Sequence, residues 1–340
     1  MKAIKYLLFI LIPLILIYVL LCAIGPKNAE ITRQIDIDAP PAYAYNLINN
    51  IDNWGKWSSW VVNDSTLVQT MNDQRIGVGA GYSWESEQNG NGSLEIIESD
   101  NNQRIKSKMN FDGFDGNSYG EYIINTEGKG SNLSWSMSAD KDFPFLIRGY
   151  MLVSGFKSKL KSNFDESLVM LKKEAENRAK GNYNGYKIKG IKMPEKHFVI
   201  SRAEVPIANY QQFYTQNLGA LFGKVTPTGI EMDGMPSGLF FKWDEAKGTA
   251  DMAAALPVVE NIAVAGTTSY TIPAKNAISL DFYGDYKDTP VAHEAIEEFI
   301  NDRGFLTDIP IIEEYLSDPT TEPDPSKWLT RIIYYLADQE

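Results

Sequence analysis

The strongest constraint on this chain is an uncharged apolar run near its start. Residues Tyr6–Ile24, YLLFILIPLILIYVLLCAI, contain no Asp, Glu, Lys, Arg or His. A run of this length, rising 1.5 Å per residue as a helix, matches a hydrocarbon core of about 30 Å. Pro13 is compatible with that helix because membrane-spanning helices tolerate proline. The run predicts a single-pass membrane anchor within residues 1–27, with contact to the membrane through residues 6–24.

Two other interpretations of the run stay open. A cleaved signal peptide has a shorter apolar core, of about 7–15 residues, and small residues at its cleavage site, whereas Leu21-Cys22-Ala23 is a poor site. Lipidation of Cys22, the single cysteine, is disfavoured by the bulky Leu21 before it. Lys2 and Lys5 precede the run. Together with the amino terminus they favour a cytoplasmic N-terminus, which predicts soluble domains outside the cytoplasm, on the periplasmic side.

The remaining chain has the size and charge of acidic globular protein. About 310 residues follow the run, which predicts two domains. Lys and Arg total 32 against 44 Asp and Glu, a net charge of −12. Without a basic stripe the sequence predicts no nucleic-acid partner, and an acidic surface is a poor match for anionic lipid.

Residues 28–178 alternate between strand and helix patterns. ITRQIDIDAP alternates apolar and polar residues, a short helix follows, and several strand-like runs separated by Asn-Gly and Gly-containing turns come next. A long amphipathic helix closes the segment, with an apolar stripe at Leu160, Phe164, Leu168 and Leu171. This order predicts an α+β domain in which an antiparallel sheet wraps around a helix, with room for a cavity.

A polar segment rich in Gly and Asn, residues 179–187, is predicted to be a linker to a second domain at 188–340. That second segment contains a rough internal repeat of strand, helix, strand and strand. The duplicated α+β module predicts a pseudo-twofold axis with a cleft between its halves.

Tryptophans and glycines mark the first segment. IDIDAPP at 35–41 and IDNW at 51–54 are followed by Trp57, Trp60, GVG at 77–79 and YSW at 82–84. With these motifs and its closing helix, the segment resembles the SRPBCC (START-like, polyketide cyclase-like) superfamily. The resemblance implies a helix-grip fold around an apolar cavity. Trp54, Trp57 and Trp84, with Trp60, are the candidate lining residues; the alternative is that they form ordinary core.

The second segment carries sharper motifs: GLFFKWD at 238–244, ALPV at 255–258, GDY at 284–286, PIIEEYLSDP at 310–319 and WLT at 328–330. It resembles the GyrI-like (AraC-type effector-binding) domain, which binds small molecules. The resemblance implies that Glu313 and Tyr315 meet cationic or aromatic ligands in the cleft. Phe282 stands where the family often has histidine, and the sequence shows no helix-turn-helix pattern.

The strand period supports this assignment. Alternation places Glu313 and Tyr315 on one face of their strand and Glu314 on the other. A carboxylate in an aromatic cleft is costly to desolvate without a partner, so it suits a cationic ligand. Trp243, Tyr286 and Trp328 are candidate walls. The alternative is a solvated Glu313 among aromatic core residues.

Other chemistry finds little support. His197 and His293 are far apart and lack metal-ligand spacing, Cys22 lies in the anchor, and no G-x-S-x-G motif occurs. We therefore predict no metal and no cofactor. The favoured hypothesis is a membrane-tethered protein that binds a small hydrophobic or cationic ligand. Two alternatives are a hydrolase of electrophilic small molecules with Glu313 as general base, and a protein-interaction module using residues 232–235.

Overall fold

The computed structural model describes residues 2–317 and 321–338, with side chains from Tyr6 onward. Asp318 and Pro319 of the motif at 310–319, and the last two residues of the predicted second domain, lie outside the described residues. The chain divides into two compact units, Met1–Lys180 and Gly181–Glu340, and each is described by itself.

The apolar run forms one helix, α1 (Lys2–Ile24). Its segment Tyr6–Ile24 is long and apolar enough to span a membrane, and its side chains are almost entirely uncovered by the protein. A core helix of a soluble domain would be buried, so burial does not explain the composition of α1.

A seven-stranded antiparallel sheet forms the body of the first unit. Its order is β1-β7-β6-β5-β4-β3-β2, and the strands are β1 (Ile31–Ile37), β2 (Val68–Met71), β3 (Gly81–Glu85), β4 (Gly92–Asp100), β5 (Arg104–Phe111), β6 (Ser118–Glu127) and β7 (Gly130–Ala139). Burial alternates along β7, where Leu133, Trp135 and Met137 face inward, as one-sided sheets require.

Four α-helices accompany this sheet. They are α2 (Pro41–Asn49) and α3 (Ser59–Val62), between β1 and β2, and α4 (Phe145–Val153) and α5 (Phe156–Ala179), after β7. The predicted stripe of α5, from Leu160 to Leu171, is buried in the same apolar core as the inner face of the sheet. The α+β helix-grip prediction is confirmed.

The second unit is a nine-stranded antiparallel sheet with two helices. Its order is β13-β10-β12-β11-β15-β16-β14-β9-β8, and its elements are β8 (Asn182–Tyr183), β9 (Tyr186–Met193), β10 (Lys196–Pro206), α6 (Tyr210–Val225), β11 (Ser237–Asp244), β12 (Thr249–Val258), β13 (Thr268–Ile272), β14 (Lys275–Tyr283), α7 (Pro290–Arg303), β15 (Thr307–Tyr315) and β16 (Leu329–Leu336).

The duplication is confirmed and is one strand longer than predicted. Each repeat contains a leading strand, so β9-β10-α6-β11-β12 corresponds to β13-β14-α7-β15-β16. The leading strands are exchanged, since β9 pairs with β14 and β13 pairs with β10. β9 and β10 are separated at Pro194, which has no backbone N–H for a continuous ladder. β11 and β15 meet at the centre of the sheet.

The segment predicted as a linker, 179–187, is mostly regular structure. Residue 179 ends α5, and β8 pairs with β9 around Asn184 and Gly185, both of which have positive φ. Tyr183 is buried, and its hydroxyl donates to Asp302 at 2.9 Å. Asn184 and Gly185 of this segment form a tight hairpin turn.

Candidate functional sites

The first unit encloses a cavity of about 490 Å³. Aromatic and apolar side chains from the sheet, from the turn after α2 and from α4 and α5 form most of its wall, including Trp54, Trp60, Trp84, Met109, Tyr122, Trp135 and Phe164. This volume falls within the range of small-molecule pockets, about 300–1,000 Å³. The inward positions of the strands carry large aromatic rings. A single helix on the inner face does not fill the space between these rings, so a cavity remains.

Two buried phenols of the cavity stay neutral. Burial raises the pKa of both Tyr82 and Tyr122 well above the ordinary value. The cavity is therefore suited to a neutral apolar guest, since a buried unpaired charge would be costly.

Trp135 adds one polar feature to this wall. It is stacked on Phe164 at 3.9 Å and on Tyr122 at 5.0 Å between ring centroids. Its indole Nε1 is buried and has no hydrogen-bond partner among the residues that the structure describes. A buried donor of this kind is rare and costs about 1–3 kcal/mol unless a ligand or water accepts from it. Trp135 lies outside the tryptophan motifs of the sequence, and the alternation of β7 indicates its inward position.

In the second unit, β15 presents a carboxylate that is almost fully buried. Glu313 is 4% exposed. Its Oε1 lies 2.9 Å from Nε2 of His293 on α7, and its Oε2 accepts from the Tyr315 hydroxyl at 3.1 Å. A carboxylate has about four lone-pair positions, so two partners leave acceptor capacity for a ligand.

A second hydrogen bond defines the tautomer of His293. The Tyr334 hydroxyl lies 2.9 Å from Nδ1. If Tyr334 donates to Nδ1, then Nε2 carries the hydrogen and donates to Glu313, and we assign this tautomer because it satisfies every group. Burial raises the pKa of Tyr334, and burial with the neighbouring Tyr214 and Glu313 raises that of Tyr315, so both phenols remain donors.

Gly238 makes room for this arrangement. It lies on β11 in register with Glu313. A Cβ at this position would clash with the Tyr214 hydroxyl and would come within 2.8 Å of the Tyr315 hydroxyl. The central strand pair therefore requires glycine opposite the carboxylate.

Residues 28–176 match the family model of polyketide cyclases / dehydrases and lipid transport, and residues 187–336 match that of the GyrI-like small molecule binding domain. The chain is a polyketide-cyclase-type domain followed by a GyrI-like domain. Both families bind small molecules.

Solved structures resemble part of the chain. The EcmrR C-terminal domain is 18% identical, with 45% of this chain and 99% of that chain covered and a TM-score of 0.41. Protein CV1439 from Chromobacterium violaceum is 18% identical over 44% and 97% of the two chains, with a TM-score of 0.33. A hydrolase encoded by lin2189 from Listeria innocua is 14% identical over 44% and 91%, with a TM-score of 0.32. A comparison with curated proteins found no match.

The predicted residues of the GyrI-like domain are largely brought together. Tyr315 contacts Tyr286 at 5.2 Å, and Tyr286 stacks on Trp328 at 5.0 Å. Trp243 lies five residues along β11 from Gly238, about 16 Å at the strand rise, and it contacts Phe240. Its role as a cleft wall stays a prediction.

The predicted residues of the polyketide-cyclase-type domain also separate. Trp54 and Trp84 line the cavity, as does Trp60. Trp57 is instead fully buried behind Trp54, at 4.9 Å between ring centroids, and its indole donates to the Leu47 carbonyl at 3.0 Å. Trp57 packs as a core residue because its ring is fully buried among its neighbours.

His293 is a site residue that its sequence spacing did not indicate. Its partners are 20 and 41 positions away along the chain, so no local spacing indicated them. Among residues 2–317 and 321–338, no group of three or more His, Cys, Asp or Glu side chains is placed to hold a metal ion.

Proposed function

We propose that this protein is a membrane-tethered binding protein with two separate ligand sites. The observation that carries the proposal is the preformed, largely apolar and aromatic cavity of the polyketide-cyclase-type domain. A space of this kind binds by shape and by exclusion of water, which favours a hydrophobic small molecule. An acceptor atom on that molecule would take the free N–H of Trp135.

The GyrI-like domain would take a different ligand, an aromatic or cationic one. Glu313 supplies a buried negative charge, while Tyr286, Tyr315 and Trp328 supply ring faces. A cation gains most from such a charge because the surroundings exclude water.

The tether is α1, whose apolar side chains the rest of the described protein leaves almost entirely uncovered. Lys2 and Lys5 before the span favour a cytoplasmic N-terminus, so the two domains would lie on the extracytoplasmic side, where they sense or sequester their ligands.

Binding of two probes by the full-length protein tests this function. In amphipol, neutral N-phenyl-1-naphthylamine and cationic tetraphenylphosphonium should each raise the melting temperature. Glu313→Gln should weaken binding of the cation by about 100-fold, the scale of a lost buried ion pair, and leave binding of the neutral probe unchanged. The matched control is Glu314→Gln, on the opposite face of β15, which should alter neither probe. No shift with either probe, or equal loss in both variants, would refute the assignment.

A hydrolase is the second candidate, favoured by the contact of Glu313 with both His293 and Tyr315. A carboxylate held between two donors is oriented to accept a proton from water as a general base. Turnover of an electrophilic small molecule that Glu313→Gln abolishes, with binding retained, would support it. The protein-interaction hypothesis for residues 232–235 stays a prediction.

A further inference from the structure

α4 is a nine-residue helix with three different faces. Leu146, Tyr150 and Val153, at helical spacing, are 62%, 63% and 71% exposed. Ile147 and Met151, four residues apart, line the cavity. An exposed apolar stripe of this kind on a short helix is unusual for a surface that meets water alone.

The third face of α4 packs on the end of α1. The Tyr18 hydroxyl donates to the Leu146 carbonyl at 2.6 Å. A Cβ at Gly149 would come within 2.8 Å of the Cys22 sulfur, and a Cβ at Gly25 would clash with the Arg148 carbonyl. Small residues therefore allow the two helices to touch backbone to backbone, as in helix pairs within membranes.

These contacts place α4 at a definite depth. Tyr18 lies six residues before the end of the span at Ile24, which is about 9 Å along a helix. The region about 5–10 Å inside the headgroup boundary is where the apolar faces of interfacial helices lie. Because α4 contacts Tyr18 and Cys22, a bilayer crossed by α1 reaches the exposed stripe of α4 as well.

The charges around α4 fit such a location. The chain is acidic overall, with a net charge of −12. Yet the first turns of α5, directly after α4, carry Lys157, Lys159 and Lys161, all exposed, and Lys27 after α1 is exposed too. Lysines beside an interfacial helix reach the phosphates of the headgroups with their long side chains.

α4 also borders the cavity. Ile147 is 41% exposed and also forms part of the cavity wall, with Pro144 before it and Phe156 just after α4. α4 therefore forms one part of the wall that separates the guest from the outside.

We propose that α4 lies in the surface of the bilayer that α1 crosses, and that the hydrophobic ligand passes beneath α4 directly from the membrane into the cavity. This inference rests on the proposed membrane tether. It assigns α4 as a lipid-facing cover, so that the polyketide-cyclase-type domain takes its ligand from the bilayer and not from water.

Depth-dependent fluorescence quenching tests the location of α4. In full-length protein carrying Cys22→Ser, a nitrobenzoxadiazole label is attached through Val153→Cys, through Ile15→Cys in the span, or through Val169→Cys on α5. Val169 is 59% exposed and lies 13 residues into α5, about 20 Å from its start. The protein is reconstituted in vesicles of phosphatidylcholine and phosphatidylglycerol, with or without chain-brominated phosphatidylcholine.

We expect blue-shifted, bromine-quenched emission from the labels at positions 15 and 153, and water-like, unquenched emission at 169. Quenching at 15 without quenching at 153 overturns the inference and leaves the tether intact. Loss of quenching at 15 overturns the tether, and the inference with it. A blue shift at 153 without bromine quenching means that protein covers α4, which also overturns the inference.

Loading from the membrane tests the route. An alkylpyrene dissolved in the vesicles should reach the cavity, where energy transfer from tryptophan reports it. Leu146→Ser with Val153→Ser should slow loading by about tenfold, because the exposed stripe loses apolar contact with the bilayer. Val169→Ser is the matched control and should not change the rate. Equal rates in all three proteins would overturn the route.

Discussion

The two candidate sites of this protein differ in whether their polar groups already have hydrogen-bond partners. The cavity of the polyketide-cyclase-type domain is a largely apolar space whose wall holds a buried donor, Trp135, without an acceptor among the described residues. In the Glu313 cluster of the GyrI-like domain, the carboxylate already has two hydrogen-bond partners, His293 and Tyr315. The first site can therefore select by volume, with little rearrangement. The second selects by charge, and its ligand uses the acceptor capacity that two existing hydrogen bonds leave on the carboxylate.

The largest effect on stability should follow from removing the imidazole of His293 from the Glu313 cluster. His293→Phe leaves one oxygen of buried Glu313 without its donor and the Tyr334 hydroxyl without its acceptor. We expect the GyrI-like domain to lose about 3 kcal/mol of unfolding free energy in urea, since bonds to charged groups are worth about 1.5–3 kcal/mol. His197→Phe is the control. The partners of His197 are Thr271 and the exposed Glu195, so the loss should stay below about 1 kcal/mol. Equal losses would show that Glu313 does not depend on His293.

A smaller effect should follow from filling the space that Gly238 leaves open. Gly238→Ala pushes against the hydroxyls of Tyr214 and Tyr315. Overpacking should cost about 1–3 kcal/mol and should weaken cation binding, while the neutral probe in the other domain stays unaffected. Gly190→Ala on β9 is the matched change, because a Cβ there meets no atom within 4 Å. Its unfolding free energy should remain within about 0.5 kcal/mol of the parent.

In the cavity, the effect of a substitution on affinity should depend on the chemistry of the ligand. Trp135→Phe keeps an aromatic ring and removes the free N–H. Affinity for a ligand with a buried carbonyl should fall by about tenfold, the value of one hydrogen bond, while a pure hydrocarbon should lose less. Trp60→Phe, in the same cavity wall, removes the same atoms and should not discriminate between the two ligands. A uniform loss for both ligands in Trp135→Phe would reduce Trp135 to a packing role.

The sequence indicated those parts of both sites that depend on local period. The stripe of α5 from Leu160 to Leu171 and the shared face of Glu313 and Tyr315 follow from helical and strand spacing. Tertiary contacts could not be predicted in this way. His293 meets Glu313 because the second repeat packs α7 against β15, and no pattern near either residue shows it. Trp57 and Trp54 look alike in sequence, and the backbone carbonyl that each indole finds separates them from Trp135.

α4 was missed for a related reason. Residues 145–153 are mostly apolar, so their pattern does not distinguish a side that faces the core from a side that faces lipid. Its three faces become distinct only once α1, the cavity and the exterior are each in place. The roles of the faces of such a helix are set by what each face contacts, and they cannot be predicted from the residue pattern of the helix alone.

The smallest predicted effect separates the two faces of β15. Burial raises the pKa of Glu314, against the opposing influence of Lys196 and Arg331. A carboxyl with a raised pKa in the folded state contributes most stability below its unfolded pKa of about 4.3, and that contribution is lost as the pH rises through the folded value. Glu314→Gln should therefore stabilise the GyrI-like domain at pH 7 by less than about 1 kcal/mol and bring no gain at acidic pH. Urea unfolding across this pH range measures it. A variant that is less stable at pH 7 would show that Glu314 acts mainly as an ion-pair partner of Lys196 and Arg331.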